Sequence, residues 1–285
     1  RDHRKKGLAL RVLRYSLEWM RAEGYDTSFL FGIEDFYHRV GFATCFPEHG
    51  MSIDTRQAEL QRSRLRTRPM KPTDLAAVRR LYERLNCIRT ASAVRPRKWG
   101  GFSMGSGFGV SCTAHVVYAP GSTGRVLGYV LFDDDRDHCR IAEVGSVGDE
   151  VHAAIVRLAG ERAVELRRER VSASMPGDHP FALFCRRLGL RDETRYPCNA
   201  GPMGRVLNLE GFLTSLSDEL SDRWPADAPQ TLAILVGNAR ATLTRKRERV
   251  AVATGGSRCL RVKDDGVLMQ LAMGYRDADD AISAG

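Results

Sequence analysis

The segment Arg4-Lys5-Lys6-Gly7-Leu8-Ala9 stands directly before a helix and constrains this chain more than any other stretch. Leu8, Val12, Leu13, Ser16, Leu17 and Met20 recur at helical spacing, with Trp19 beside them, and Gly24 offers a left-handed stop. A turn of backbone N–H groups at a helix start, backed by the helix dipole, is a ready pyrophosphate site. Gly7 removes a Cβ where such a ligand approaches closely, and small Ala9 does the same one step on. Taken alone, the pattern is equally a basic arm leading into a helix.

A second pattern follows one helix and one strand later. Thr27 to Phe31 reads as a strand, and Gly32-Ile33-Glu34-Asp35-Phe36-Tyr37-His38-Arg39-Val40-Gly41-Phe42 comes next, with a short helix over Glu34 to Val40. Together the two segments resemble the GNAT superfamily of N-acetyltransferases. Its acyl-CoA loop reads Arg/Gln-x-x-Gly-x-Gly/Ala and precedes a Phe-Tyr-x-x-x-Gly-Phe segment. The resemblance implies transfer of an acetyl group from acetyl-CoA, as co-substrate, to a primary amine of a small molecule or peptide. It places Arg4, Lys5, Lys6, Gly7, Leu8 and Ala9 at the pyrophosphate. Tyr37 becomes the acid that protonates the departing thiolate, weighed against a packing role. Glu34, Asp35 and His38 stand open as bases for the amine.

The chain of 285 residues is long enough for two or three domains. The expectation is an α/β (α+β) molecule, with residues 1–64 as the second half of a GNAT domain plus linker. Residues 65–205 read as a second mixed unit, with strands at 66–70, 111–118, 126–133, 140–144 and 171–174 and helices at 73–86, 149–168 and 180–188. Residues 206–285 read as a helix on a small antiparallel sheet with a further helix over 267–273. This layout resembles the enhanced-intracellular-survival type of acetyltransferase, which has a GNAT domain, a degenerate GNAT-like domain and a sterol-carrier-protein-like tail. The fold implied by the resemblance has early strands ahead of the pyrophosphate loop, whereas this chain starts at the loop. Truncation, an incomplete tail and weak or absent turnover are therefore the expectation. The rival is a non-enzymatic lipid- or partner-binding protein with a vestigial acetyltransferase domain.

Other classes fare worse. The net charge of +9 comes mostly from arginine, but glutamates interrupt the basic runs and no aromatic ladder or helix-turn-helix pattern accompanies them. Solvated helix faces explain that charge better than nucleic acid does. The seven cysteines lack any C-x-x-C spacing, which argues for reduced thiols in the cytoplasm over disulfides or zinc. Cys112 with His115, and His138 with Cys139, are isolated pairs. Gly101-Phe102-Ser103-Met104-Gly105 spells a nucleophile elbow, with Asp133, Asp134 or Asp135 and His152 or His179 as partners on paper. An elbow needs a strand before it and a helix after it, and neither is read there. No apolar run is long enough to span a bilayer. A homo-oligomer stays open.

Overall fold

Leu10, Leu13, Leu17 and Met20 line one side of the first helix, α1 (Leu8–Ala22), in a computed structural model of the chain. The structure describes residues 6–96, 98, 112–121, 124–134, 137–253 and 258–283. Strand β1 (Thr27–Gly32) follows, then a single 3-10 turn over Tyr37–Val40, shorter than the helix expected from Glu34. Pro47 separates β2 (Ala43–Thr44) from β3 (Glu48–Asp54), and the connecting helix is α2 (Thr55–Glu59).

The middle of the chain gives β4 (Arg66–Pro69), α3 (Leu75–Asn86), β5 (Cys112–Tyr118), β6 (Val126–Asp133) and β7 (Cys139–Ser146). Then come α4 (Asp149–Glu165), β8 (Arg170–Ala173), α5 (Pro180–Cys185) and β9 (Arg191–Arg195). Helix α3 starts after a 3-10 turn, at Leu75 and not at residue 73, with Asp74 in the N-cap position. Its carboxylate accepts from the Lys71 N–H at 2.8 Å and pairs with Arg68 at 2.6 Å.

The last stretch holds β10 (Gly201–Val206), α6 (Leu209–Ser215), α7 (Ser217–Arg223), β11 (Thr231–Val236), β12 (Ala239–Lys246) and β13 (Arg249–Ala253). Strand β14 (Cys259–Val262), α8 (Asp265–Ala272) and α9 (Ala278–Ser283) complete it. The sheet here is mixed, not antiparallel: order β13-β12-β11-β14, with β14 parallel to β11. Strand β14 lies on the far side of β11 from its chain neighbour β13 and runs in the same direction as β13.

These elements form two compact units, residues 1–48 with 196–285, and residues 49–195. The divisions differ from 64/65 and 205/206 for a concrete reason. Strand β10 lies between β1 and β2, antiparallel to both. Likewise β3 pairs with β8, and α2 packs on α4.

The second unit is a seven-stranded sheet, β4-β5-β6-β7-β8-β3-β9, with α4 on one face and α3 on the other. Strand alternation explains the two faces. Val117, Val130 and Phe132 join the core around α4, while Val116 and Tyr129 meet Val78 of α3. Helix α4 is buried on every side over residues 151–156, because α2 and α5 cover what the sheet does not. In the first unit, β10 and the four-stranded sheet share a core with α6 and α8. The whole is a mixed α/β molecule.

Candidate functional site

Helix α1 begins without a cap. Gly7 holds the N-cap position at φ +68°, a left-handed conformation that costs a Cβ-bearing residue about 1–2 kcal/mol. Gly7 has no side chain to cap the first turn, and no acidic residue occupies that turn. Within the helix, Arg11 N–H is the donor that reaches the Gly7 carbonyl, at 3.1 Å. The amides of Leu8, Ala9 and Leu10 therefore have no partner within the helix, at the positive end of its dipole. Lys6, Gly7, Leu8 and Ala9 are all exposed, and among the described residues nothing lies within 4 Å of where a Gly7 Cβ would stand. Arg4 and Lys5 lie outside the described residues.

The buried side of α1 and the Tyr37 turn share one core, in which Leu17, Val40, Phe42, Met203 and Leu207 are buried and Leu10, Leu13 and Tyr37 pack at the margin. Tyr37 is half-buried. Its ring stands edge-on to Phe36 at 5.0 Å and to Phe42 at 6.1 Å. Gly41 closes the turn at φ +82°, donating to the His38 carbonyl at 3.0 Å. Both a packing role and a directed phenol are compatible with this geometry.

Two residues missed by the sequence reading hold this loop. Arg205, on β10, donates through Nη1 to the Val40 carbonyl and lies so close under Gly41 that a Cβ there would meet its Nε at 3.2 Å. Burial pulls the Arg205 guanidinium below its ordinary value and pushes the facing Asp265 carboxyl above its own, each against the attraction of the other. Asn199 fixes the other end. Its Nδ2 donates to Asp35 Oδ1 at 3.2 Å, and its carbonyl accepts from the Asp35 N–H at 3.2 Å. Asp35 takes φ +55° there. No local pattern marks either residue, because both come from a distant stretch of chain. Of the base candidates, Glu34, Asp35 and His38 are all exposed.

Solved structures share this architecture. A GCN5-related N-acetyltransferase from Anabaena variabilis superimposes with a TM-score of 0.74 at 14% identity, over 100% of this chain and 72% of that one. The fold is GNAT-like. A probable N-acyltransferase from Enterococcus faecalis gives 0.74 at 14% identity over 99% and 71%, and Eis1 from Mycobacterium abscessus 0.61 at 19% over 100% and 72%. No family model and no curated protein matches the chain.

The described side chains offered as partners for a nucleophile elbow are held in other contacts. The string Gly101 to Gly105 lies outside the described residues, as does Asp135. Among the described residues, Asp134 pairs with Arg162 at 3.4 Å and Asp133 with Arg140 at 3.5 Å. His152 is wedged between Phe181 and Phe184, and His179 caps α5 by accepting from the Phe181 N–H at 3.2 Å. No cluster of three metal-ligating side chains occurs among the described residues, and none of their helices is long and apolar enough to cross a membrane.

Proposed function

We propose that this protein belongs to an N-acetyltransferase lineage and moves an acetyl group from acetyl-CoA to a primary amine. The observation that carries the reading is the open, uncapped start of α1, on one core with the Tyr37 turn, in a GNAT-like fold. The Leu8, Ala9 and Leu10 amides bind the pyrophosphate, with Arg4, Lys5 and Lys6 supplying positive charge. The neutral amine attacks the thioester carbonyl, the C–S bond breaks, and the leaving thiolate takes its proton from the Tyr37 hydroxyl. The proton lost by the amine passes to water or to one of Glu34, Asp35 and His38. In this reading the middle of the chain is a degenerate GNAT-like domain and its last stretch a sterol-carrier-like tail. All seven thiols are free, which suits a reducing compartment such as the cytoplasm.

Binding and chemistry are tested separately. Leu8→Glu places a carboxylate in the first turn, where it favours the helix dipole but repels a phosphate. Acetyl-CoA binding measured by titration calorimetry should weaken about tenfold or more while thermal stability holds or rises. Equal affinity in the variant would remove α1 as the pyrophosphate site. Turnover, read as thiol release with an amine panel, should be weak and should drop further in Tyr37→Phe without loss of affinity. Unchanged turnover would leave Tyr37 as packing alone.

A further inference from the structure

A second candidate site lies in the four-stranded sheet, apart from α1. Strand β14 ends that sheet, so among the described residues one side of its backbone meets no other strand. The Arg258 carbonyl accepts from Ala233 N–H at 2.9 Å. Backbone direction alternates residue by residue, so Leu260 also turns to β11, while Cys259 and Arg261 turn their N–H and C=O outward. Along this edge runs a cleft of about 830 Å³. Its apolar wall is Leu260 and Val262 of the strand, Val267 and Leu271 of α8, and Ala281 and Ile282 of α9. Leu260 is 48% exposed and Ile282 77%. Arg261 and Lys263 supply exposed positive charge, whereas nearby Asp264 is committed to the Val267 N–H at 2.9 Å and Arg276 to Asp280 at 2.8 Å.

We propose that the outer edge of β14 and the cleft beside it bind an extended polypeptide strand whose alternate residues are apolar and acidic. Strand addition satisfies the outward groups of Cys259 and Arg261. Residues opposite each other on neighbouring strands share a face. The apolar side chains of the incoming strand therefore enter the cleft beside Leu260 and Val262, and the acidic ones meet Arg261 and Lys263. An acyl chain in the same place strips water from the strand edge and returns no hydrogen bond. A second copy of the edge brings Arg261 and Lys263 against their own kind.

The probe is a short capped peptide alternating valine with glutamate, fluorescently labelled and titrated into the full chain, with amide exchange followed at β14. Saturable binding and slowed exchange at Cys259 and Arg261 are expected, and a valine–lysine peptide should bind about tenfold more weakly or worse. Arg261→Pro removes an outward N–H and no bond to β11, so it should abolish the binding and the protection, whereas Arg261→Ala should weaken the binding and keep the protection. Ile282→Glu, at an exposed position, should weaken the peptide independently of backbone changes. Equal binding of the two peptides overturns the proposal, as does full-strength binding by Arg261→Pro. Concentration-dependent self-association abolished by Arg261→Pro would assign the edge to a second copy and overturn it too. Displacement of the peptide by a fluorescent fatty acid, with no edge protection by the peptide, would give the cleft to a lipid.

Discussion

His179 shows how a single side chain ties acid sensitivity to the fold. Burial pulls its imidazole down to about 4, with Arg89 and His152 pushing the same way and Asp178 opposing. Burial also lowers His152, which packs against Phe181 and Phe184. An unfolded histidine takes its proton near 6.5, so between those values the unfolded chain binds more protons than the folded one. The stability from His179 is present in full above pH 6.5 and is lost as pH falls toward 4, with an upper bound of roughly 3 kcal/mol. His179→Asn retains an acceptor for the Phe181 N–H but does not titrate. Denaturation midpoints across that pH range should therefore fall less steeply in the variant, and an unchanged slope would exclude His179 as the source. At this scale the sequence was informative about residues that act next to their neighbours. Gly7 reads as the start of a helix and Gly41 as the end of a turn from local pattern alone. Arg205 and Asn199 escaped because their work is done on Val40 and Asp35, far away in the chain.

Elements were legible where burial leaves a periodic imprint. Strand β6 shows its bounds in the sequence, and α1 and α4 nearly do, since each alternates or repeats against a core. Strand β9 was missed because Arg191–Arg195 is exposed throughout and carries no apolar alternation. The helix read at the start of residues 206–285 divides at Leu216 into α6 and α7, and the parallel pairing of β14 leaves no mark in its own four residues. Helix α4 supplies a case in which propensity and packing oppose each other. Alanine is favoured over glycine in a helix interior by about 1 kcal/mol. At Gly160, however, a Cβ would stand 2.7 Å from the Glu59 nitrogen and 2.9 Å from the Ala58 carbonyl carbon. Both belong to the α2 backbone, which cannot rotate aside as a side chain does. Overpacking of this kind costs about 1–3 kcal/mol, so Gly160→Ala should lose stability by about 1 kcal/mol or more despite its better propensity. A urea midpoint at or above that of the parent would show that α2 yields without cost.

At the scale of the molecule, chain order and spatial order part company. Shifts in composition divide a sequence only into consecutive segments, whereas β10 returns to fill the gap between β1 and β2, which do not pair with each other. Non-consecutive pairing of this sort is invisible to periodicity, because each strand alternates in the same way whatever it joins. The consequence is testable. Residues 1–48 contain α1 and the Tyr37 turn but not the strand that joins β1 to β2 or Met203 and Leu207 of their shared core. That fragment alone should stay unfolded, since its two strands have no partner and a small core cannot offset the chain entropy. Replacing residues 49–195 by a short glycine–serine linker should be tolerated far better. The ends to be joined run side by side, with Thr44 Oγ1 donating to the Ala200 carbonyl at 2.7 Å and Cys45 N–H to that of Pro202 at 3.0 Å. Amide exchange should then find β1 and β10 protected in the shortened chain, and calorimetry should find acetyl-CoA affinity close to that of the parent. Loss of protection at both strands would show that residues 49–195 are needed to fold the α1 site; retained protection with lost affinity would place part of the acetyl-CoA site within them.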